Sequence, residues 1–133
     1  MPSGAAGRPP VDRRRLELGA RGEELAAVWY AGRGYTVLAR NWRCREGELD
    51  LVVGRDRSVV FCEVKTRTGT GFGIPAEAVT GEKQRRLRRL ATRWLGEQAR
   101  PGTGGFADIR FDVVSVTLGR GGAADLEVIE AAF

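Results

Sequence analysis

A mixed α/β domain is the fold the sequence predicts: one central mixed sheet flanked by helices, in the order α-β-β-β-α-β-β. Three features predict it. Residues 16–31 are rich in Ala, Leu and Glu and hold no proline, as a helix requires. Two apolar segments, 49–53 and 59–65, flank a short polar turn and read as a hairpin covered on both faces. Leu87, Leu90, Ala91, Trp94 and Leu95 recur at the spacing of one buried helical stripe. A chain of 133 residues is the length of a single domain with one core.

Each element follows in turn. Residues 1–14, MPSGAAGRPPVDRR, are Pro, Gly and Arg with hardly an apolar anchor, so a disordered basic arm is expected, leaving 15–133 as the folded domain. Gly32 and Gly34 stop the first helix. Residues 35–44 mix β-branched and aromatic side chains in rough alternation, which predicts a strand. The turn of the hairpin is Gly54-Arg55-Asp56-Arg57-Ser58. Beyond the glycine-rich loop TRTGTGFGIP, a second helix starts at Ala78 or Glu82 and ends at Glu97, with Lys83, Arg85, Arg86, Arg88, Arg89 and Arg93 on its outer face. The segment PGTGG leads into a strand over 109–118, and GRGGAA turns the chain into a last short strand over 126–130.

Composition narrows the chemistry. The chain carries 22 Lys plus Arg against 17 Asp plus Glu, a net charge of +5, with a pI near 10.0. Such a balance in a small domain favours a polyanionic partner, nucleic acid first. There is no histidine, which removes imidazole bases, Ser-His-Asp triads and HExxH zinc sites. Catalysis must then use carboxylates, lysine, hydroxyls or a metal held by oxygen. Cys44 and Cys62 make neither a disulfide framework nor a CxxC metal pair. No apolar run is long enough to cross a bilayer and the N-terminus lacks a signal-peptide stretch, so a cytoplasmic protein without a membrane partner is expected. Of the basic residues only Lys65 and Lys83 are lysine, which raises the question of what those two positions do.

The segment GELDLVVGRDRSVVFCEVKTR, residues 47–67, carries the candidate chemistry. Pairing about the Asp56–Arg57 midpoint sets Asp50 opposite Glu63 and Val52 opposite Phe61, and opposed residues have Cβ atoms roughly 4.5 to 5.5 Å apart. Lys65 shares the face of Glu63 by the two-residue period. Two carboxylates that close repel unless a cation or a proton lies between them. Oxygen-only ligation suits Mg²⁺, with Mn²⁺ as a substitute. The competing reading is a wet strand end with Lys65 as a surface partner, and a one-residue bulge would turn Asp50 to the other face.

An acid on one strand followed by E-x-K on the next, here Asp50 and Glu63-Val64-Lys65, resembles the PD-(D/E)xK nuclease superfamily. More narrowly, Gly19-Ala20-Arg21-Gly22-Glu23, Asn41-Trp42-Arg43, Gly47-Glu48-Leu49-Asp50-Leu51-Val52, Phe61 to Arg67, Phe72-Gly73, Lys83 and Arg110 to Val114 resemble the YraN family of uncharacterised bacterial proteins, over residues 15–133. Leu49 stands where the superfamily's name has proline. The resemblance implies a restriction-endonuclease-like core similar to the archaeal Holliday-junction resolvases. It implies a metal site of Glu23, Asp50 and Glu63 with the carbonyl of Val64, and Lys65 as the catalytic ammonium. Glu24 competes with Glu23 for the first of these roles, although the Gly19-to-Glu23 spacing favours Glu23.

The function implied is metal-dependent phosphodiester hydrolysis, as a DNA endonuclease on structured or branched DNA; RNA remains allowed. The alternative is an inactive nucleic-acid-binding or scaffold protein on the same fold. Arg67, Lys83, Arg86 and Arg89 are the candidates for phosphate contacts. A homodimer would suit an enzyme that cuts two strands. Trp29, Trp42 and Trp94 are expected mainly in the core and not stacked on bases.

Overall fold

The computed structural model describes residues 13–69, 79–99 and 105–133. Within them lie α1 (Arg13–Ala31), β1 (Thr36–Cys44), β2 (Gly47–Arg55), β3 (Ser58–Thr68), α2 (Gly81–Gln98), β4 (Asp108–Leu118) and β5 (Ala124–Ile129), with a 3₁₀ turn at Arg120–Gly122 before the last strand. This is the expected order, a mixed α/β arrangement consistent with a restriction-endonuclease-like core. Helix α1 begins ahead of its expected start, and β2 and β3 extend beyond their apolar cores. Residues 1–12 and the Phe72-Gly73 motif lie outside the described residues.

The five strands form one sheet in the order β1-β2-β3-β4-β5. Every neighbouring pair is antiparallel except β3 with β4. A parallel pair needs a long crossover, and α2 lies in that connection. The hairpin register is the one symmetric about Asp56 and Arg57, with Val52 opposite Phe61 and Leu51 opposite Cys62. Asp56 takes the left-handed φ of 55° that a two-residue hairpin turn needs, and Asp accepts it at low cost.

Helix α1 covers one face of the sheet, placing Ala26, Ala27 and Tyr30 on Leu51, Val53, Val60, Cys62, Val114 and Val116. Helix α2 covers the other, with Leu87, Leu90, Ala91 and Trp94 on Leu49, Val52, Val59, Phe61 and Phe111. Both hairpin strands are therefore buried on both sides, which is why their apolar runs lack alternation. Trp94 lies in the core, and Trp29 and Trp42 pack half-buried against it. Thr80 caps α2, its Oγ1 accepting from the Lys83 N–H at 3.2 Å, so Lys83 is held in the first turn. The last residues are tied down by Asp112. Its buried carboxylate accepts from Tyr30 Oη (2.6 Å), from Arg110 Nε and Nη2 (2.8 Å each) and from the Ala131 N–H (3.0 Å). Among the described residues no helix is long and apolar enough to cross a membrane.

One break in the alternation positions the site. Leu51 and Val53 belong to the α1 side, yet Leu49, two residues back, belongs with Val52 to the α2 side. The strand thus changes face at Asp50. Its neighbour β1 does the same at Asn41, which has φ 48° and lies between the Arg40–Leu51 and Trp42–Leu49 pairs. Asn is among the few non-glycine residues that take this conformation readily.

Helix α1 seats on β3 through a glycine. A Cβ on Gly22 would fall 1.7 Å from Thr66 Oγ1 and 2.8 Å from Thr66 Cβ, an overlap that turning the threonine cannot relieve. Gly22→Ala is expected to lift α1, with Glu23 on it, and to destabilise the fold by about 1–3 kcal/mol. Urea unfolding of the two proteins measures this; an unchanged midpoint would mean that the helix does not rest on Thr66.

Candidate metal centre

The hairpin ladder stops at Leu51–Cys62, one pair short of Asp50 and Glu63. In place of the next backbone bond, Asp50 Oδ2 accepts from the Val64 N–H at 2.9 Å. The carboxylate therefore lies between the two strands and not on a face with Glu63 and Lys65. This corrects the simple pairing geometry, and the cause is the change of face at Asp50. Because a strand residue's N–H and C=O point to the same side, the Val64 carbonyl also faces β2.

Two further carboxylates reach Asp50. Glu23 from α1 and Glu48 from β2 bring one oxygen each, and with Asp50 all three lie within 4.8 Å of one another, half-buried. Between Glu23 and Glu24 the structure distinguishes clearly: Glu24 is exposed and paired with Arg40 at 2.5 Å, whereas Glu23 turns inward and bonds the Asn41 side chain. Glu48 was not among the expected ligands, although the two-residue period from Asp50 in the Gly47-Glu48-Leu49-Asp50 motif points to it. On its outer side Glu48 holds Arg43 Nε at 2.9 Å.

Glu63 contributes from the α2 side. Its Oε1 lies 2.8 Å from Lys83 Nζ, and both side chains are largely buried, 14 % and 19 % exposed. The ammonium beside Glu63 is thus Lys83, presented by the capped first turn of α2. Lys65 is exposed and forms no ion pair among the described residues. Arg86 and Arg89 line a pocket of about 290 Å³ with Thr80, Glu82 and Lys83, one helical turn outward from the Glu63 pair. Other arginines of the helix are used internally. Arg93 pairs with Glu46 at 3.0 Å, and Arg88 lies over the Phe111 and Phe133 rings. Arg67 is half-buried on β3, opposite Thr117 of β4.

Crowded like charges mark the electrostatics. Burial pushes the Asp50 carboxyl up to about 7, the Glu63 charge adds to the effect, the Val64 N–H opposes it, and Glu23 and Glu48 raise it further. Burial likewise raises Glu23, with the Asn41 bond working against it and Glu48 reinforcing it. Such a cluster is costly by itself and is relieved by a hard cation. The three oxygens lie within 4.8 Å of one another, so a single ion between them can be reached by all three. The donor set is all oxygen, with neither imidazole nor thiolate, as Mg²⁺ or Mn²⁺ prefers. Cys62 is buried on the α1 side, where burial raises its thiol, and it is a packing residue.

A sequence profile of the uncharacterised protein family UPF0102, the YraN family, matches residues 22–116. A UPF0102 protein of Nocardia farcinica is 52% identical over 116 residues, covering 87% of this chain and 88% of its own. One from Clavibacter michiganensis is 52% identical over 119 residues, covering 90% and 98%. One from Mycolicibacterium vanbaalenii is 56% identical over 106 residues, covering 80% and 84%.

The raised Asp50 has a defined pH signature. Folded, it keeps its proton to about pH 7; unfolded, it loses it near 3.8. The metal-free fold therefore binds the proton more tightly and loses stability as pH rises between these values. A divalent ion requires the ionised carboxylate, so Mn²⁺ affinity should rise from pH 6 to 8 with up to one proton released per ion at the lower end. Calorimetric titration of Mn²⁺ in buffers of different ionisation enthalpy measures both. Asp50→Asn should abolish the binding, and a pH-independent affinity in the wild type would count against the assignment.

Proposed function

The chain belongs to the uncharacterised protein family UPF0102, and on that premise we propose that it is a metal-dependent nuclease that hydrolyses phosphodiester bonds, acting on structured or branched DNA. The observation that carries this reading is the convergence of Glu23, Glu48 and Asp50 within 4.8 Å at the open end of the hairpin, with Glu63 beside them. Buried acidic groups so placed are stable only with a proton or a cation, and a charge of +5 on the whole chain suits a polyanionic substrate.

Asp50, Glu23 and Glu48 would hold Mg²⁺ or Mn²⁺, with Glu63 and the Val64 carbonyl as adjoining oxygens. When bound, the ion supplies Lewis acidity toward a phosphate oxygen and lowers the pKa of a water. The remaining work belongs to side chains. Lys83 fixes the Glu63 carboxylate from the far side and offsets part of the negative charge. Lys65, exposed on β3 beyond its pairing with β2, offers a compact ammonium to the charge that develops on phosphorus; a planar guanidinium would serve this less well. Arg86 and Arg89, free of ion pairs among the described residues, contact the flanking backbone and position it without reading sequence.

Incubation with Mn²⁺ or Mg²⁺ and linear, single-stranded or four-way-junction DNA should give cleavage that chelator stops. Asp50→Asn, Glu63→Ala and Lys65→Ala should each lower the rate by about 10²-fold or more. Salt-sensitive binding of all three DNAs, indifferent to chelator and without cleavage, would instead favour a nucleic-acid-binding protein that keeps the fold.

A further inference from the structure

Among the described residues, the buried side-chain donors without a hydrogen-bond partner belong to one group, the Nε and Nη2 of Arg67. A guanidinium does not shed its proton, and solvent does not reach these two atoms, so neither ordinary remedy for a buried unpaired donor is open. Natural folds seldom leave such groups unmet.

The identity of the two atoms is informative. Nε and Nη2 form the side-on edge of the fork, the pair of parallel N–H groups that grips two oxygens of one planar or tetrahedral anion. The same chain shows that edge filled. Arg110 gives Nε and Nη2 to the two oxygens of Asp112, each at 2.8 Å. At Arg67 the edge is built and buried, and no acceptor of the described chain meets it.

Placement says which anion. Val64 packs on the α1 side, and Thr66 faces Gly22 of α1. By the two-residue period, Glu63, Lys65 and Arg67 share the opposite side of β3. Arg67 then stands about 13 Å along the strand from Glu63, with the exposed ammonium of Lys65 between them. A row of acid, ammonium and bidentate guanidinium on one strand face matches a phosphate backbone laid along it better than it matches an isolated carboxylate.

We infer that Arg67 is the receptor for a single backbone phosphate of a bound nucleic acid strand: its half-buried side chain turns outward as the strand binds and grips the two non-bridging oxygens through Nε and Nη2, at a position set off from the carboxylate cluster. The inference deepens the nuclease reading by placing a second phosphate, but it rests only on that reading's choice of nucleic acid and not on hydrolysis.

The test is therefore run in chelator. Binding of a fluorescein-labelled single-stranded oligonucleotide is followed by anisotropy for wild type, Arg67→Gln and Arg67→Lys. Both variants should bind about 10- to 100-fold more weakly, because lysine keeps the charge and loses the fork. A set of oligonucleotides with one neutral methylphosphonate at successive positions should contain one that weakens the wild type and leaves Arg67→Gln unchanged, the coupling expected of a direct contact. Arg67→Met should melt no lower than wild type, since it removes an unmet buried charge. Wild-type affinity in both binding variants, full rescue by lysine, additive methylphosphonate losses, or a lowered melting temperature in Arg67→Met would each overturn the assignment, the last by showing that Arg67 serves an internal partner. Arg67-dependent binding without cleavage under Mn²⁺ would leave this site standing and remove the nuclease reading. Cleavage without Arg67 dependence would do the reverse.

Discussion

The 2.9 Å hydrogen bond from the Val64 N–H to Asp50 Oδ2 is the constraint on which the site depends. It takes the place of a rung in the β2–β3 ladder, so the carboxylate is carried into the sheet where backbone would otherwise lie. That position is half-buried, at the end of a hairpin whose two faces are covered by α1 and α2. It is also where side chains from both faces can converge. Glu23 and Glu48 reach it together, and Glu63 adjoins it with its partner Lys83. Without the change of face at Asp50 and Asn41, Asp50 would point into one of the two apolar layers and no such convergence would form.

Among the described residues the charges around Asp50 do not balance. Lys83 answers Glu63 and Arg43 answers Glu48 from the solvent side, but neither ion pair includes Asp50 or Glu23. What Asp50 receives in compensation is a single amide dipole, and Glu23 receives the Asn41 side chain and, more weakly, the Arg40 charge. Burial and like charge outweigh these, as the upward displacement of both carboxyls records. An arrangement that raises two neighbouring carboxyls is one that a proton stabilises at low pH and a divalent cation stabilises near neutrality. On the neighbouring strand β3 the buried edge of Arg67, without a hydrogen-bond partner among the described residues, is the cationic counterpart: a group for which the proposed counter-charge is a phosphate from outside.

Much of this was legible from the sequence. The hairpin register follows from its polar turn and apolar strands, and it holds residue for residue as far as Leu51 and Cys62. The α2 stripe and its basic outer face follow from helical period, and Glu23, Asp50, Glu63 and Lys65 were marked by their resemblance to a known pattern. What was hidden were departures from period. Strict alternation sets Asp50 on a face with Glu63 and Lys65; the paired irregularity at Asn41 and Asp50 breaks it, and no single residue announces that break. Lys83 could be marked as unusual in a chain that otherwise writes arginine, yet its contact with Glu63 depends on how α2 crosses the sheet, a long-range packing outcome that local pattern does not contain. Glu48 is marked only by its place two residues from Asp50, and period alone does not tell a ligand from a solvated strand residue.

The proposed role of the Glu23, Glu48 and Asp50 carboxylates is to hold one divalent cation together. The most direct measurement is anomalous diffraction at the manganese edge from crystals of the wild-type protein grown with Mn²⁺. One strong peak bounded by Glu23, Glu48 and Asp50 is expected, and no peak there in crystals of Asp50→Asn. A fully occupied peak elsewhere with this cluster empty at saturating Mn²⁺, or a cluster that stays protonated and metal-free at pH 8, would contradict it.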